Sequence, residues 1–220
     1  MGTDNLFHKR KAQKLERSGP KRAPYDKVLI VCEGEKTEPN YLQELIDHHE
    51  ISSANVRVDG DCGSDPLSVV NHAIQLYRQD RDKGDPYDRV YCVIDRDAHP
   101  NFDQALDKLN AQKPADVFRA TISVPCFEYW LLLHFDYTRA AFVAAGKNSA
   151  GDAALAALKG YWPDYGKGKL GTYVHLHAQL GFARTNAERA MKDAQRTGAD
   201  NPSTNVNELV DYLQNIKQKK

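Results

Sequence analysis

Three acidic residues follow two of the most apolar stretches of the chain. Glu33 follows the run 28–32, and Asp95 and Asp97 follow the run 90–94. Open parallel sheets bind ligands beyond the carboxyl ends of their strands, where these side chains would converge if the two strands are neighbours. Clustered carboxylates repel one another unless a hard cation lies among them, and oxygen ligands suit Mg²⁺ or Mn²⁺. The pattern therefore predicts a metal site that can act on a phosphodiester.

Each of these carboxylates also has a simpler alternative role. An acidic residue at the end of a strand can cap the helix that follows, and Asp95 or Asp97 alone would be more typical of a cap. An Asp-x-Asp pair after one buried strand, with a glutamate after another, is a more specific combination, so we favour the metal interpretation for the set. Glu35 and Glu38 could contact a second metal ion or could be surface and capping residues.

Two lysines and one histidine are further candidates. Lys167 and Lys169 lie in a glycine-flanked segment and could hold a substrate phosphate as point charges. A solvated loop is the equal alternative for these two lysines. His134 lies in a dense apolar segment, where we expect a core or interface histidine rather than a catalytic one.

The elements that must position these residues follow from hydrophobic periodicity. Between residues 26 and 125, apolar runs alternate with segments of helical spacing, a pattern typical of right-handed βαβ units and a parallel sheet. Thr37 and Asp65 are the expected N-caps of the first two helices, and Asn205 begins a capping-box-like pattern for the last one. Residues 126–220 are predicted to form an almost wholly α-helical extension packed on this α/β core.

Residues 1–25 are predicted to form a flexible basic arm. Residues 1–27 contain eight basic and three acidic side chains, with few apolar anchors. Such charge attracts phosphates, so one interpretation is a tail that seeks nucleic acid. A solvated leader without a specific role is the other interpretation.

Composition limits the class of protein. The 220 residues include 30 Lys and Arg and 30 Asp and Glu, a balance that argues against a basic coat protein but not against a local basic groove. The four cysteines lack CxxC spacing, so we expect neither a zinc ribbon nor a redox motif but free core thiols, as in a reducing cytosol. No membrane span, secretory signal or GxxxxGKT phosphate loop is present in the sequence, which predicts a cytoplasmic protein that is not itself a P-loop ATPase.

Several segments resemble known families. Segments 28–34 (VLIVCEG) and 93–97 (VIDRD) resemble the Toprim domain of topoisomerases, bacterial primases and OLD-type nucleases. Segments 32–41 (CEGEKTEPNY), 127–135 (FEYWLLLHF) and 201–204 (NPST) resemble the RloB family more narrowly. The resemblance extends over nearly the whole folded chain. The gate domain of a topoisomerase and the template-binding modules of a primase do not fit within 220 residues.

The resemblance implies a fold, an activity and site residues. It implies a Toprim-like, Rossmann-like parallel sheet flanked by helices, in a bacterial protein of anti-phage, abortive-infection or restriction-associated defence. It also implies an ABC- or AAA-type ATPase partner and, by analogy with the OLD nucleases, metal-dependent cleavage of DNA or RNA, including tRNA. Glu33 matches the Toprim glutamate, an acid/base or metal-adjacent group, and Asp95 and Asp97 match its metal pair. Glu128 is the candidate for a further catalytic group, and its alternative is a carboxylate favoured by the dipole of a helix first turn.

Two hypotheses follow from these observations. The first is a Mg²⁺- or Mn²⁺-dependent nuclease in which Asp95 and Asp97 hold the metal and Glu33 assists as acid/base or ligand. The second is a non-catalytic Toprim-like subunit that binds nucleic acid or an ATPase. Clustered carboxylates favour the first hypothesis, since a scaffold gains nothing from them, and neutral net charge keeps the second open. A homo-oligomer is compatible with either.

Overall fold

The computed structural model describes residues 24–97 and 99–218. Its centre is a five-stranded sheet with the strand order β2-β1-β3-β4-β5. The strands β1 to β4 are parallel, and β5 is antiparallel to β4. The strand bounds are Val28–Cys32 (β1), Val56–Asp59 (β2), Arg89–Asp95 (β3), Phe118–Val124 (β4) and Ser203–Thr204 (β5). The predicted parallel sheet is confirmed for four strands, whereas the antiparallel edge strand was not predicted.

The central strands β1 and β3 are direct neighbours. Cys32 pairs with Val93 at their carboxyl ends. All five residues of β1 are buried, because side chains that alternate along the strand enter separate cores on the two faces of the sheet. A continuous apolar run is the sequence that such a doubly covered strand requires. The adjacency on which the predicted site depends is therefore present.

Helices cover both faces of the sheet. One apolar cluster joins the sheet to α2 and α3, and the other joins it to α1 and to helices that follow β4. The result is a mixed α/β fold. The helix bounds are Thr37–His48 (α1), Pro66–Asp82 (α2), Phe102–Asn110 (α3), Glu128–Leu132 (α4), Ala150–Tyr161 (α5), Thr172–Leu176 (α6), Leu180–Thr197 (α7) and Val206–Gln214 (α8).

The helix starts agree with the sequence at one of three predicted caps. Asp65 Oδ1 accepts hydrogen bonds of 3.1 Å from the backbone N–H groups of two residues in α2, as expected. Thr37 is not a cap: Lys36 precedes α1, and the Thr37 hydroxyl accepts a bond from Gly168 instead. The Asn205 side chain does not cap α8 either. It bonds to the backbone of β4, with Oδ1 accepting from Ile122 N at 2.7 Å.

The extension after residue 126 is less helical than predicted. Residues 136–149 form a loop with an isolated bridge, although alanines are frequent there. Side chains hold this loop in place of helical hydrogen bonds. Asn201 bonds to both backbone groups of Phe142, at 3.2 and 2.7 Å, and Arg139 donates to Ala199 O at 2.6 Å. The prediction of an almost wholly helical segment was therefore wrong, because these contacts depend on residues far apart in sequence.

The boundary of the predicted arm lies next to the folded body. Residues 1–23, which make up most of the predicted arm, lie outside the described residues. Tyr25 packs against the larger apolar cluster, and its hydroxyl accepts a hydrogen bond of 2.7 Å from Ser52 N. The Tyr25 carbonyl accepts another from Asn55 Nδ2 at 2.7 Å. The polypeptide is thus fixed to the body from Tyr25 onward.

The cysteines agree with the expectation of free thiols. Cys32, Cys92 and Cys126 are buried, Cys62 is partly buried, and all four are free thiols. Across residues 24–97 and 99–218, no helix combines the length and hydropathy that a membrane crossing requires.

Candidate active site

A cavity of about 650 Å³ opens at the carboxyl ends of β1 and β3. Glu33, Asp95 and Asp97 line it, so the three carboxylates predicted from the two apolar runs meet in one place. Glu38 and Lys167 line it as well. The cavity lies where parallel sheets bind their ligands, because the strands end there and the loops diverge.

Glu33 and Asp95 are joined by a hydrogen bond between the strand ends. Glu33 N donates to Val93 O at 3.0 Å, which continues the pairing of β1 with β3 by one residue. Asp95 N donates in turn to the carboxylate Oε2 of Glu33 at 3.1 Å. The Glu33 carboxylate is therefore directed across the end of β3, next to Asp95.

Asp97 lies further out and is paired with a histidine that the sequence analysis did not identify. Asp97 Oδ1 accepts a hydrogen bond of 3.1 Å from His99 N. His99 Nε2 lies 3.4 Å from Asp97 Oδ1 and 3.5 Å from Glu33 Oε1. The imidazole thus bridges two of the three predicted carboxylates. The only indication of this role in the sequence was that His99 follows Asp97 by two residues in the same loop.

Two buried glutamates extend the acidic cluster. Glu38 lies in the first turn of α1 and Glu128 is the first residue of α4, and their residues are 7% and 2% exposed. Tyr165 OH donates to Glu128 Oε1 at 3.4 Å, and Lys167 Nζ lies 3.9 Å from Glu128 Oε2. Glu128 is close enough to act on Asp95 electrostatically. Glu128 therefore lies in a helix first turn and also near the acidic site. These are the locations that its two alternative roles predicted.

Burial and mutual repulsion disfavour the charged forms of these groups. Burial, reinforced by Glu128 and Glu33, raises the pKa of Glu38 to about 8. Burial and the charges of Glu38, Glu128 and Glu33 raise the pKa of Asp95 well above its usual range. Burial and Asp97 raise the pKa of Glu33 despite the opposing hydrogen bond from Asp95 N. In the absence of a cation, the cluster therefore holds its protons more tightly than the same carboxyl groups do in water.

Lys167 supplies a positive charge at this cavity. Burial lowers its pKa, but the carboxylates of Glu128, Asp95 and Glu38 outweigh burial, so the pKa is raised and the ammonium stays charged. Lys169, the second predicted phosphate ligand, lies outside the cavity. Its Nζ donates to Asp164 O at 2.9 Å and lies 5.6 Å from the ring centroid of Trp162.

The chemistry of the donors fits a hard divalent cation, but the arrangement is not a complete metal cage. Carboxylate oxygens from Glu33, Asp95 and Asp97 are the donors that Mg²⁺ prefers. Across the described part of the chain, however, no three Asp, Glu, His or Cys side chains lie close enough together to hold a metal ion. A cation bound here would need water or substrate oxygens to complete its coordination.

His134 takes no part in this site. Its ring is buried, with Nδ1 3.0 Å from Trp130 O, and it packs edge-on against the Trp130 indole. The predicted core role is confirmed.

The comparison with family models adds an identity to this geometry. Residues 28–213 match the model of the RloB-like protein family. A search of curated proteins and a search of solved structures found no significant match. The match includes both strand ends, the buried glutamates and the lysine segment. Because it covers most of the sequence, the chain belongs to the RloB-like protein family.

Proposed function

We propose that this protein is a Mg²⁺-dependent nuclease that hydrolyses a phosphodiester of DNA or RNA on a Toprim-like sheet. The observation that carries the proposal is the junction of the ends of β1 and β3, where Asp95 N bonds to the Glu33 carboxylate beside Asp97. Three carboxylates at neighbouring strand ends, with two buried glutamates next to them, match the chemistry of a cation-assisted reaction on phosphate.

Glu33, Asp95 and Asp97 would hold Mg²⁺ or Mn²⁺. When bound, the cation would stabilise the negative charge that develops on the attacking and leaving oxygens. Mg²⁺ commonly keeps several waters and uses one or two carboxylates together with substrate phosphates. An incomplete set of ligands before substrate binds is therefore compatible with this role.

The protein's own groups would move protons and hold the substrate. Glu33 lies at the cavity wall, where its carboxylate could accept a proton from an attacking water in place of binding the cation. Glu128, a predicted catalytic residue, is buried and does not line the cavity, and its carboxylate raises the pKa of both Asp95 and Lys167. Lys167 would contact a phosphate oxygen as a point charge. Lys169 has no comparable position and is assigned no role in binding.

The biological setting rests on family membership. The RloB-like assignment supports a role in bacterial anti-phage, abortive-infection or restriction-associated defence, with an ABC- or AAA-type ATPase as the partner. The defence role and the ATPase partner are both parts of the proposal. A homo-oligomer is a further part, and it could form with or without the ATPase.

One observation favours a second function. The described residues lack a preformed set of three metal ligands. A non-catalytic subunit that binds nucleic acid or the ATPase through the same cavity would need no metal ligands.

Cleavage assays separate the two functions. Plasmid, single-stranded DNA and tRNA should each be incubated with the protein in Mg²⁺, Mn²⁺ or EDTA, with and without the proposed ABC- or AAA-type ATPase partner. Metal-dependent cleavage that is lost in Asp95→Asn and Asp97→Asn supports the nuclease. Asp107→Asn, an exposed position on α3, is the matched control. Binding without cleavage under every condition would favour the non-catalytic subunit.

A further inference from the structure

One face of α1 holds the backbone of the segment that follows Lys167. Thr37 Oγ1 accepts a hydrogen bond of 3.0 Å from Gly168 N, and Asn40 Nδ2 donates one of 3.0 Å to Gly168 O. Glu44 continues the row by accepting from Gly171 N at 2.5 Å and from Tyr173 N at 2.8 Å. The three side chains are spaced i, i+3 and i+7, so they share one helix face.

Gly168 allows the segment to approach α1 this closely. Its φ is +75°, a backbone conformation that favours glycine, and a Cβ at this position would lie 2.8 Å from Lys36 Cβ. Both backbone polar groups of Gly168 are bonded to α1, and the side-chain stem of Lys36, the residue before α1, packs against the same glycine.

This attachment fixes where Lys167 can reach. The residue directly after Lys167 is bonded on both its N–H and its C=O, so the Lys167 backbone cannot move away from α1 without breaking two hydrogen bonds. From there Lys167 lines the acidic cavity and its Nζ lies 3.9 Å from Glu128 Oε2. The same helix begins just after the Glu33 strand end, which couples the lysine to the carboxylates geometrically.

We propose that Thr37 and Asn40 are positioning residues that hold Lys167 at the acidic cavity, where its ammonium contacts a phosphate oxygen of a bound nucleic acid. The inference rests on the proposed function for the identity of the ligand. A lysine is a flexible point charge, so a fixed backbone reduces the entropy lost when its ammonium binds a phosphate. Neither Thr37 nor Asn40 needs to contact the substrate.

The first test measures the loop and requires no activity. Thr37→Val removes the acceptor for Gly168 N while keeping the shape of the side chain, and Thr37→Ser restores the hydroxyl. We expect trypsin to cut the Lys167–Gly168 bond about fivefold faster in Thr37→Val, because the net worth of one hydrogen bond corresponds to about that factor. Thr37→Ser should be cut at the wild-type rate. Thr185→Val, the same change at an exposed site of α7, is the matched control.

The second test asks whether Thr37 acts through Lys167. The affinity of a short fluorescent single-stranded DNA is measured by anisotropy, with Ca²⁺ in place of Mg²⁺. Lys167→Ala should raise the Kd about tenfold, and Thr37→Val should raise it about fivefold. In the double variant Thr37→Val should add nothing to the effect of Lys167→Ala. Lys159→Ala, an exposed lysine of α5, is the control for loss of charge.

The outcomes separate this inference from the proposed function. A Thr37→Val effect of the same size with and without Lys167 would overturn the positioning role. Unchanged trypsin cleavage in Thr37→Val would overturn it as well. A wild-type protein that binds no nucleic acid would contradict the proposed function, and faster cleavage in Thr37→Val would then still support the attachment of the loop to α1.

Discussion

Asp95 N and the Glu33 carboxylate form a hydrogen bond of 3.1 Å that connects the ends of two neighbouring strands. The bond satisfies one oxygen of Glu33, but it leaves the carboxylate of Asp95 beside the negative charges of Glu38, Glu128 and Glu33. The contact therefore acts in opposite directions on the two pKa values: the hydrogen bond lowers that of Glu33, and the charge of Glu33 raises that of Asp95. Glu33 gains a donor, whereas Asp95 gains a like-charged neighbour.

Asp95→Asn should abolish metal-dependent cleavage without destabilising the fold. Asn at this position removes the cost of burying a carboxyl group beside other carboxylates in the metal-free protein, so the free energy of unfolding at neutral pH should rise. Urea denaturation in EDTA measures this change. The exposed neighbour Asp97 provides the comparison, since Asp97→Asn should lose cleavage with little change in stability. Loss of activity together with a collapsed thermal melt would point to a structural role for Asp95 instead.

Mg²⁺ or Mn²⁺ should raise the melting temperature of the wild-type protein. Binding to the native state stabilises it by about 2.7 kcal/mol at a hundredfold excess over the dissociation constant. Differential scanning fluorimetry with a range of Mg²⁺ concentrations measures the shift, and Asp95→Asn should reduce it. Weak affinity without substrate is expected because phosphate oxygens complete the coordination, so the titration should be repeated with a non-cleavable oligonucleotide. No shift in either condition would count against the metal site.

Gly60→Ala should destabilise the turn that follows Glu33. A Cβ at Gly60 would lie 2.5 Å from Gly34 O and 2.8 Å from Pro39 Cγ, and the first of these contacts is with backbone. Overpacking of this kind costs about 1–3 kcal/mol, and it would displace the loop that shapes the cavity. Urea denaturation checks the loss. Gly160→Ala is the matched control, because its Cβ has nothing within 4 Å and alanine favours the helix by about 0.5–1 kcal/mol.

His134 should make the protein less stable in mild acid. Burial lowers the pKa of His134 from 6.5 to about 4 in the folded state. The stabilisation from keeping the ring neutral is therefore complete above pH 6.5 and is lost as the pH falls from 6.5 towards 4. The free energy of unfolding of the wild type should fall by about 3 kcal/mol relative to that of His134→Phe over that interval. Carboxylates titrate in the same range, so the difference between the two proteins is the quantity to measure. A difference independent of pH would contradict this explanation.

The sequence contained enough information for the parts of the site that depend on local patterns. Apolar runs at 28–32 and 90–94 predicted two buried strands. The positions of Glu33 and Asp95 at the carboxyl ends of these strands could therefore be predicted as well. Asp65 was predictable because Asp before Pro at a helix start has few other uses. These features require knowledge of a few neighbouring residues only.

The remaining features depend on contacts across the chain. A second-metal contact, a surface role and a capping role were all open to Glu38 in sequence, and its burial and its electrostatic interaction with Asp95 and Glu128 became visible only in three dimensions. Thr37 has a side chain typical of a helix cap, yet its hydroxyl accepts a hydrogen bond from the backbone N–H of Gly168, which is far away in sequence. Lys169 and Lys167 are alike in sequence, yet Lys167 alone of the two lines the cavity, and the backbone of Gly168 between them is bonded to α1.

Deleting residues 1–24 should leave folding unchanged and weaken binding of nucleic acid. The deletion stops before Tyr25, whose hydroxyl and carbonyl are bonded to the body. The deleted segment has seven basic and two acidic side chains, an excess of five positive charges. Each lost phosphate contact should reduce the slope of log K against log salt by about 0.9 on duplex DNA or about 0.7 on a single strand.

Cleavage at saturating substrate should remain nearly the same after this deletion, since the carboxylates lie at the sheet. Anisotropy at several salt concentrations measures the slope, with a variant that keeps the arm but replaces its lysines and arginines by glutamine as the comparison. If charge alone matters, the two variants should have the same slope, because both lose their phosphate contacts. An unchanged slope in the truncated protein would assign substrate capture to the cavity around Lys167, and a truncated protein that fails to fold would show that the arm docks on the body.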